Sequence, residues 1–290
     1  MNSHSRTSSF PQRLPLLLRL SLALHAAMAL ALLVQPSAWR WVLSAFLANH
    51  LLLTLAGLWP RSTWLGRNWT RLPDCSAGRR DIALTIDDGP DPEITPAVLD
   101  LLDQLEVKAT FFCIGEKARR YPALCREIVA RGHDVENHSE RHRHHFSMLG
   151  PRAYRRELQA AQDSLTAVTG RRPQFFRAPA GLRNPFLGPV LDSMGLRLAA
   201  WTRRGYDTRS GDAAVIYRRL LPAVVPGAIL LLHDGNCARS AAGVPVILDV
   251  LPMLVRQASA AGLQFVTLSH ALDCDTVSHA RQCDTASGSP

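Results

Sequence analysis

Two apolar runs open the chain, and a long alternation of short strand-like and longer helix-like segments follows them. Leu14 to Val34 is apolar apart from Arg19, Ser21 and His25, and Trp41 to Trp59 is apolar apart from Ser44, Asn49, His50 and Thr54. Each comes close to the length needed to cross a bilayer. A cleaved signal peptide or a single anchor helix would account for one such run. A signal peptide should end in small residues and turn polar, however, whereas here a second apolar run follows a six-residue turn, Gln35 to Arg40. Trp39, Trp41, Trp59, Trp64 and Trp69 fall where interfacial belts belong. The pattern predicts a transmembrane helical hairpin over residues 1–60. Buried or interfacial helices are the alternative, to which Arg19, His25 and His50 lend weight.

From Asp81 onward, seven β-rich runs alternate with helical periodicity. The runs are Ile82 to Ile86, Ala109 to Ile114, His133 to Asn137, Gln174 to Phe176, Leu196 to Trp201, Ala228 to His233 and Gln264 to Leu268. Helical spacing is read over Pro96 to Leu105, Lys117 to Arg131, Pro151 to Val168, Pro185 to Met194, Ala213 to Val224 and Pro245 to Ala260. Such alternation predicts parallel strands covered by helices, as a barrel or a doubly wound sheet, with chemistry at the C-terminal strand ends. Residues 61–80, with Pro73, Gly66 and Gly78, read as a basic linker, and residues 273–290 as a disordered tail.

Charge refines the hairpin. Residues 1–80 hold nine arginines and one acid, Asp74, so they carry 9 − 1 = +8 of the formal net charge of +9. Arginine beside apolar segments suits anionic lipid, and the lack of aromatic residues interleaved with it argues against nucleic acid. Arg6 and Arg13 precede the hairpin, Arg40 alone lies in its turn, and Arg61, Arg67, Arg71, Arg79 and Arg80 follow it. This distribution places both flanks, and the domain after them, on the cytoplasmic side of a bacterial-type inner membrane. The six cysteines form no C-x-x-C pair and are expected to be ordinary thiols unless the domain lies in an oxidising compartment.

The polar clusters fall at the predicted strand ends. Asp87-Asp88-Gly89-Pro90 sets adjacent carboxylates where a buried strand stops, so that one can bind a metal while the other acts as base. His138 and His142, four apart, can share one side of a helical turn. A carboxylate with two histidines is a facial ligand set suited to zinc or another borderline divalent ion, which favours amide hydrolysis. Arg177 precedes a turn, Pro179-Ala180-Gly181, whose backbone N–H could meet an oxyanion, and His233 ends an apolar strand where a general acid could stand. Taken singly, each has an ordinary reading as a solvated loop, a surface arginine or a satisfied strand-end histidine.

Taken in order, Thr-Ile-Asp-Asp-Gly-Pro, His-Ser-x-x-His, Arg-x-Pro-x-Gly, Trp-Thr…Asp and Leu-Leu-His-Asp-Gly resemble the five motifs of the polysaccharide deacetylase family, carbohydrate esterase family four, across residues 81–272. The resemblance implies a distorted (β/α) barrel of about seven strands that removes an N-acetyl group from an amino sugar. It implies a divalent ion, zinc above all, on Asp88, His138 and His142. Asp87 would be the base, Arg177 the residue that orients it, Asp207 the partner of His233, and His233 the acid. Ala180 and Leu231 would meet the substrate, Leu231 at the acyl methyl. Ala180 stands where many members have Tyr, and Thr208 where many have Trp. The second departure removes an aromatic wall from the pocket, and with Arg203, Arg204 and Tyr206 nearby it points away from neutral chitin or xylan and toward a phosphate-linked or lipid-diphosphate sugar, which would fit both these arginines and the hairpin. The alternatives are a deformylase of a lipid-linked amino sugar and an inactive glycan-binding scaffold.

Overall fold

A computed structural model describes residues 14–276. It begins with helices α1 (Leu16–Val34) and α2 (Trp39–Leu58). At 1.5 Å per residue, 19 residues make α1 about 28 Å long, near the thickness of a bilayer core. Both are candidate membrane spans, and their large apolar side chains face outward, with Leu33 and Trp41 each 81% exposed. Between the helices the polar groups find one another. The Asn49 amide donates to Ser21 Oγ at 3.0 Å, and the His25 and His50 rings meet edge to face.

The remainder alternates strand and helix. After the short α3 (Asp74–Gly78) come β1 (Asp81–Asp87), α4 (Thr95–Gln104), β2 (Thr110–Cys113), α5 (Gly115–Arg120), α6 (Pro122–Ala130), β3 (Asp134–Asn137), α7 (Pro151–Thr169) and β4 (Phe175–Phe176). Then follow α8 (Leu187–Met194), β5 (Arg197–Leu198), β6 (Arg203–Arg204), α9 (Ala213–Leu220), β7 (Ile229–His233), α10 (Val246–Ala260) and β8 (Gln264–Phe265). All pairings between these strands are parallel, in the order β5-β4-β3-β2-β1-β7-β6, with β8 beside the start of β1. The seven runs read from the sequence are all present. The eighth strand, β6, is two arginines long and carries no apolar signature.

Alternation along the strands divides the core. Ile82, Leu84, Ile86, Phe111, Leu230 and Leu232 pack outward against Val98, Leu102, Ile128, Leu165, Val250 and Leu254 of the helices. Ala83, Phe112, Phe175, Ala199 and Ile229 fill the inside. Lys117 to Arg131, read as one helix, is two, because Pro122 has no N–H to donate and opens a new helix at its first turn.

Residues 61–80, expected as a tether, are packed into the barrel wall. The curled sheet has free edges at β5 and β6, and residues 69–72 run between them. Trp69 N–H donates to Leu198 O and Trp69 O accepts from Ala200 N–H, while Leu72 N–H reaches Gly227 O. On the β6 side Thr202 Oγ donates to Thr70 O at 2.6 Å. An open edge is thereby covered by the chain's own backbone. The end of α2 is fixed as well. Gly57 O accepts from Arg183 N–H, so closely that a side chain at Gly57 would strike the Arg183 carbonyl. The helix over residues 268–276 continues into the expected disordered tail. Its Cys274 pairs with Cys75 of α3, Cα atoms 6.4 Å apart, so these two are not the simple thiols expected. Residues 277–290, with Cys283, lie outside the described residues.

Glu136 shows how interior polar groups hold the strands. Its carboxyl, 4% exposed, accepts from the N–H groups of Gln174 and Phe175 at 2.8 and 2.7 Å, and burial pushes its pKa well up. Glu136→Leu should therefore orphan two buried donors and cost about 2–4 kcal/mol, whereas Glu136→Gln keeps an acceptor and should cost much less. Thermal unfolding of both variants checks this; equal losses would assign the site to packing alone.

Candidate active site

The C-terminal ends of β1, β3, β4 and β7 meet at one mouth of the barrel. Successive residues of a strand point to opposite faces, so Asp87 and Asp88 should diverge. They do not, because Asp88 has φ +73°, a left-handed turn that brings its carboxylate round to the same side. Asp88 Oδ1 lies 3.2 Å from both His138 Nε2 and His142 Nε2. Asp87 Oδ2 is 3.9 Å from the same His138 nitrogen.

The rings are held in place from behind. His138 Nδ1 donates to Arg177 O at 2.9 Å, which leaves Nε2 as a lone pair directed into the cluster. His142 N–H is caught by Ser139 Oγ, and burial holds the His142 imidazole down at about 4, hence neutral. Asp88 Oδ1 and the two ring nitrogens, all within 4.8 Å of one another, form a carboxylate–imidazole set that one cation could share. The donor set fits a divalent ion.

Asp87 is held by Arg177. That guanidinium, 0% exposed, donates to Asp87 Oδ1 at 2.6 Å, Thr85 Oγ at 2.8 Å, Ala199 O at 3.1 Å and Ala200 O at 2.7 Å. Asp207 grips His233 twice, accepting from its backbone N–H at 2.6 Å and its Nδ1–H at 2.9 Å. Burial disfavours a charged His233 ring, but the hydrogen bond and charge of Asp207 outweigh it and raise its pKa. Ala180 lies in the left-handed region at φ +55°, and Leu231 packs with Ala200 and Trp201. Eight of the nine residues singled out from the sequence thus lie on strand ends or turns at this mouth, and Leu231 sits two residues inside the end of β7.

Three supporting residues gave no sequence signal. Asn236 Nδ2 donates to Asp88 Oδ2 at 3.1 Å, Lys117 Nζ to Asp88 O at 2.7 Å, and Thr95 Oγ to Asp234 at 2.5 Å. Asp234, fully buried, has its pKa lifted to about 6 by burial. Only its adjacency to His233 could have suggested it. Lys117 and Thr95 come from helices far along the chain, a nearness that no local pattern encodes.

A family model described as polysaccharide deacetylase matches residues 75–199. A peptidoglycan-N-acetylglucosamine deacetylase of Bacillus cereus is 31% identical over 192 residues, 66% of this chain and 67% of that protein. The chain belongs to the polysaccharide deacetylase family. A chitooligosaccharide deacetylase of Bradyrhizobium sp. shares 38% identity over 55% of this chain and 73% of its own. Among solved structures, a family 4 carbohydrate esterase from Streptomyces lividans in complex with acetate superposes with a TM-score of 0.58 at 28% identity, covering 64% of this chain and 91% of that one. For this polysaccharide deacetylase the barrel is thus the family's, while the hairpin lies outside the matched segment.

Zinc added to chelator-treated protein should raise its stability by about 2.7 kcal/mol at a hundredfold excess over Kd. His138→Ala or His142→Ala should abolish the gain in a melting experiment. An undiminished gain in both variants would place the ion elsewhere.

Proposed function

We propose that the chain is a zinc-dependent N-deacetylase of amino sugars, anchored by its hairpin. The observation that carries this is the single mouth at which an arginine-held carboxylate, a three-ligand cation cluster and an aspartate-held histidine converge. A divalent ion on Asp88, His138 and His142 supplies Lewis acidity toward an amide carbonyl and makes nearby water more acidic.

The chain's own residues do the rest. Asp87, fixed by Arg177, is the base that takes a proton from the attacking water; the guanidinium aims its carboxylate. Ala180 N–H faces the developing oxyanion, for which its left-handed turn is shaped in advance. Asp207 raises the pKa of His233 and so favours its protonated form, and His233 hands that proton to the departing amine. Leu231 and Trp201 form an apolar wall for the acyl methyl, which favours acetyl over the smaller formyl. An inactive scaffold would have no use for a carboxylate and a histidine each gripped by its own buried partner beside one cation cluster.

The arginine distribution puts the domain on the cytoplasmic side, while the Cys75–Cys274 pair favours an oxidising one. The charge bias acts during insertion, before the cysteines can meet, so we give it precedence. A phosphatase that works only in the periplasm, fused to the C-terminus, should be inactive; an active fusion would reverse the orientation.

Asp87→Asn should lower kcat at least ~100-fold while zinc stays bound. The alkaline limb of the pH–rate profile should mark loss of the His233 proton. That loss comes as pH rises through the raised pKa, so Asp207→Asn should move the limb to lower pH. A limb unmoved in Asp207→Asn would remove His233 from the role of acid.

A further inference from the structure

Beside His233 lies a concentration of positive charge that the deacetylation chemistry does not use. Arg203, Arg204, Arg209, Arg218 and Arg219 fall within 17 residues. Among the described residues, none of Arg204, Arg209 and Arg219 has a carboxylate within ion-pair distance. Strand alternation separates the two β6 arginines. Arg203 is exposed and its Nε donates to Arg219 O, away from the site. Arg204 stands opposite Leu231 in register and turns its guanidinium between two rings, 4.6 Å from the centre of Tyr206 and 5.3 Å from Trp201. Its Nε is buried and has no hydrogen-bond partner.

Tyr206 is held at φ +60°, an unfavourable conformation for an aromatic residue, and is 44% exposed. The Arg219 guanidinium lies 5.7 Å from the centre of its ring. Tyr206, Arg209, Ser210 and Arg219 line a recess of about 280 Å³. The next residue, Asp207, is the one that grips His233. Guanidinium donors from several directions, with two hydroxyls, suit the spread oxygens of a phosphate; a planar carboxylate would be met by one guanidinium.

The hairpin's end reaches Arg204 through Trp201. Arg61 donates to Thr202 O at 3.0 Å. Pro60 and Trp201 crowd Gly181, φ +74°, so closely that a methyl there would come within 2.6 Å of both. Trp201 is therefore a wall shared by the hairpin's end, the catalytic turn and Arg204.

We infer that Arg204, Arg209 and Arg219, set around Tyr206, form an anion subsite for a phosphate ester attached to the N-acyl amino sugar. The identity of the sugar rests on the deacetylase reading; the anion does not. The ester can reach the subsite on a soluble sugar phosphate or on a polyprenyl carrier held in the membrane.

Binding to the full-length Asp87→Asn protein with zinc, in detergent, tests this without turnover. By calorimetry, N-acetylglucosamine 1-phosphate should bind at least ~10-fold more tightly than N-acetylglucosamine. The double variant Arg209→Ala/Arg219→Ala, at exposed positions, should erase that preference and leave the affinity for the neutral sugar unchanged. Equal affinities for the two sugars, or a preference that survives the double substitution, would overturn the subsite. A second arm offers the same sugar linked through pyrophosphate to decaprenol in phosphatidylcholine vesicles. Arginine-dependent capture there identifies the lipid source, and arginine-dependent binding of the soluble phosphate alone identifies the free one. Deacetylation of neutral sugar with no phosphate preference would sink the subsite only. A phosphate preference in a protein that deacetylates nothing would sink the deacetylase reading only.

Discussion

The buried contact between Arg177 and Asp87 is the constraint on which the site depends. One guanidinium from the end of β4 crosses the barrel interior to β1 and also takes up two carbonyls beyond β5. The carbonyl of the same residue receives the His138 proton and so turns that ring toward Asp88. Asp87 and the His138 ring are therefore positioned by opposite ends of one residue. Burial works against the charge on Arg177, and Asp87 opposes that effect. Leaving either ion buried alone would cost about 3–5 kcal/mol, so neither partner can change without the other. The Phe112 ring, 4.1 Å from the guanidinium carbon, covers the face that no acceptor reaches.

Backbone strain gathers at the same mouth. Of the eight non-glycine residues with positive φ among the described residues, six are Asp88, Ser139, His142, Ala180, Tyr206 and Asn236, all in the loops above the strand ends. Each such conformation costs about 1–3 kcal/mol and persists only where its surroundings impose it. At Asp88 the result is two neighbouring carboxylates facing one cavity, which an unstrained strand could not provide. The outer apolar layer, where Val98, Leu99, Leu102, Ile247, Val250 and Leu251 are fully buried, supplies stability that the mouth gives up.

Much of this was legible because parallel strands buried on both faces read as unbroken apolar runs, and four of the seven runs here lead straight to a chemically distinctive residue: Asp87, His138, Arg177 or His233. Ile229 to Leu232 followed by His233 is one such case, and Leu84 to Ile86 followed by Asp87 another. What stayed hidden is encoded between segments. Strand β6 is formed by Arg203 and Arg204, whose pairing to β7 owes nothing to hydrophobicity. The polar, tryptophan-containing stretch around Trp69 reads as linker, yet it completes a sheet edge through backbone groups that any sequence would carry. The pairing of Cys75 with Cys274 spans 199 residues, and spacing cannot foretell it. Asn236, Lys117 and Thr95 are ordinary residues made significant by what the fold brings to them.

The packed linker changes what the hairpin can do. A flexible tether would let the barrel face any direction relative to the hairpin. Here Arg183 N–H bonds Gly57 O at the end of α2, and its guanidinium reaches Ser62 O at 2.5 Å. Asn68 adds bonds to the carbonyls of Pro60 and Ser62. Arg183 lies two residues beyond Gly181, so the segment that carries the catalytic turn is itself the dock for the end of α2. The orientation of the mouth is then set by the hairpin rather than averaged over a tether. The rigid joint and the unneutralised arginines are separate features of the chain, and Trp201 touches both, crowding Gly181 beside Pro60 and lying 5.3 Å from the Arg204 guanidinium.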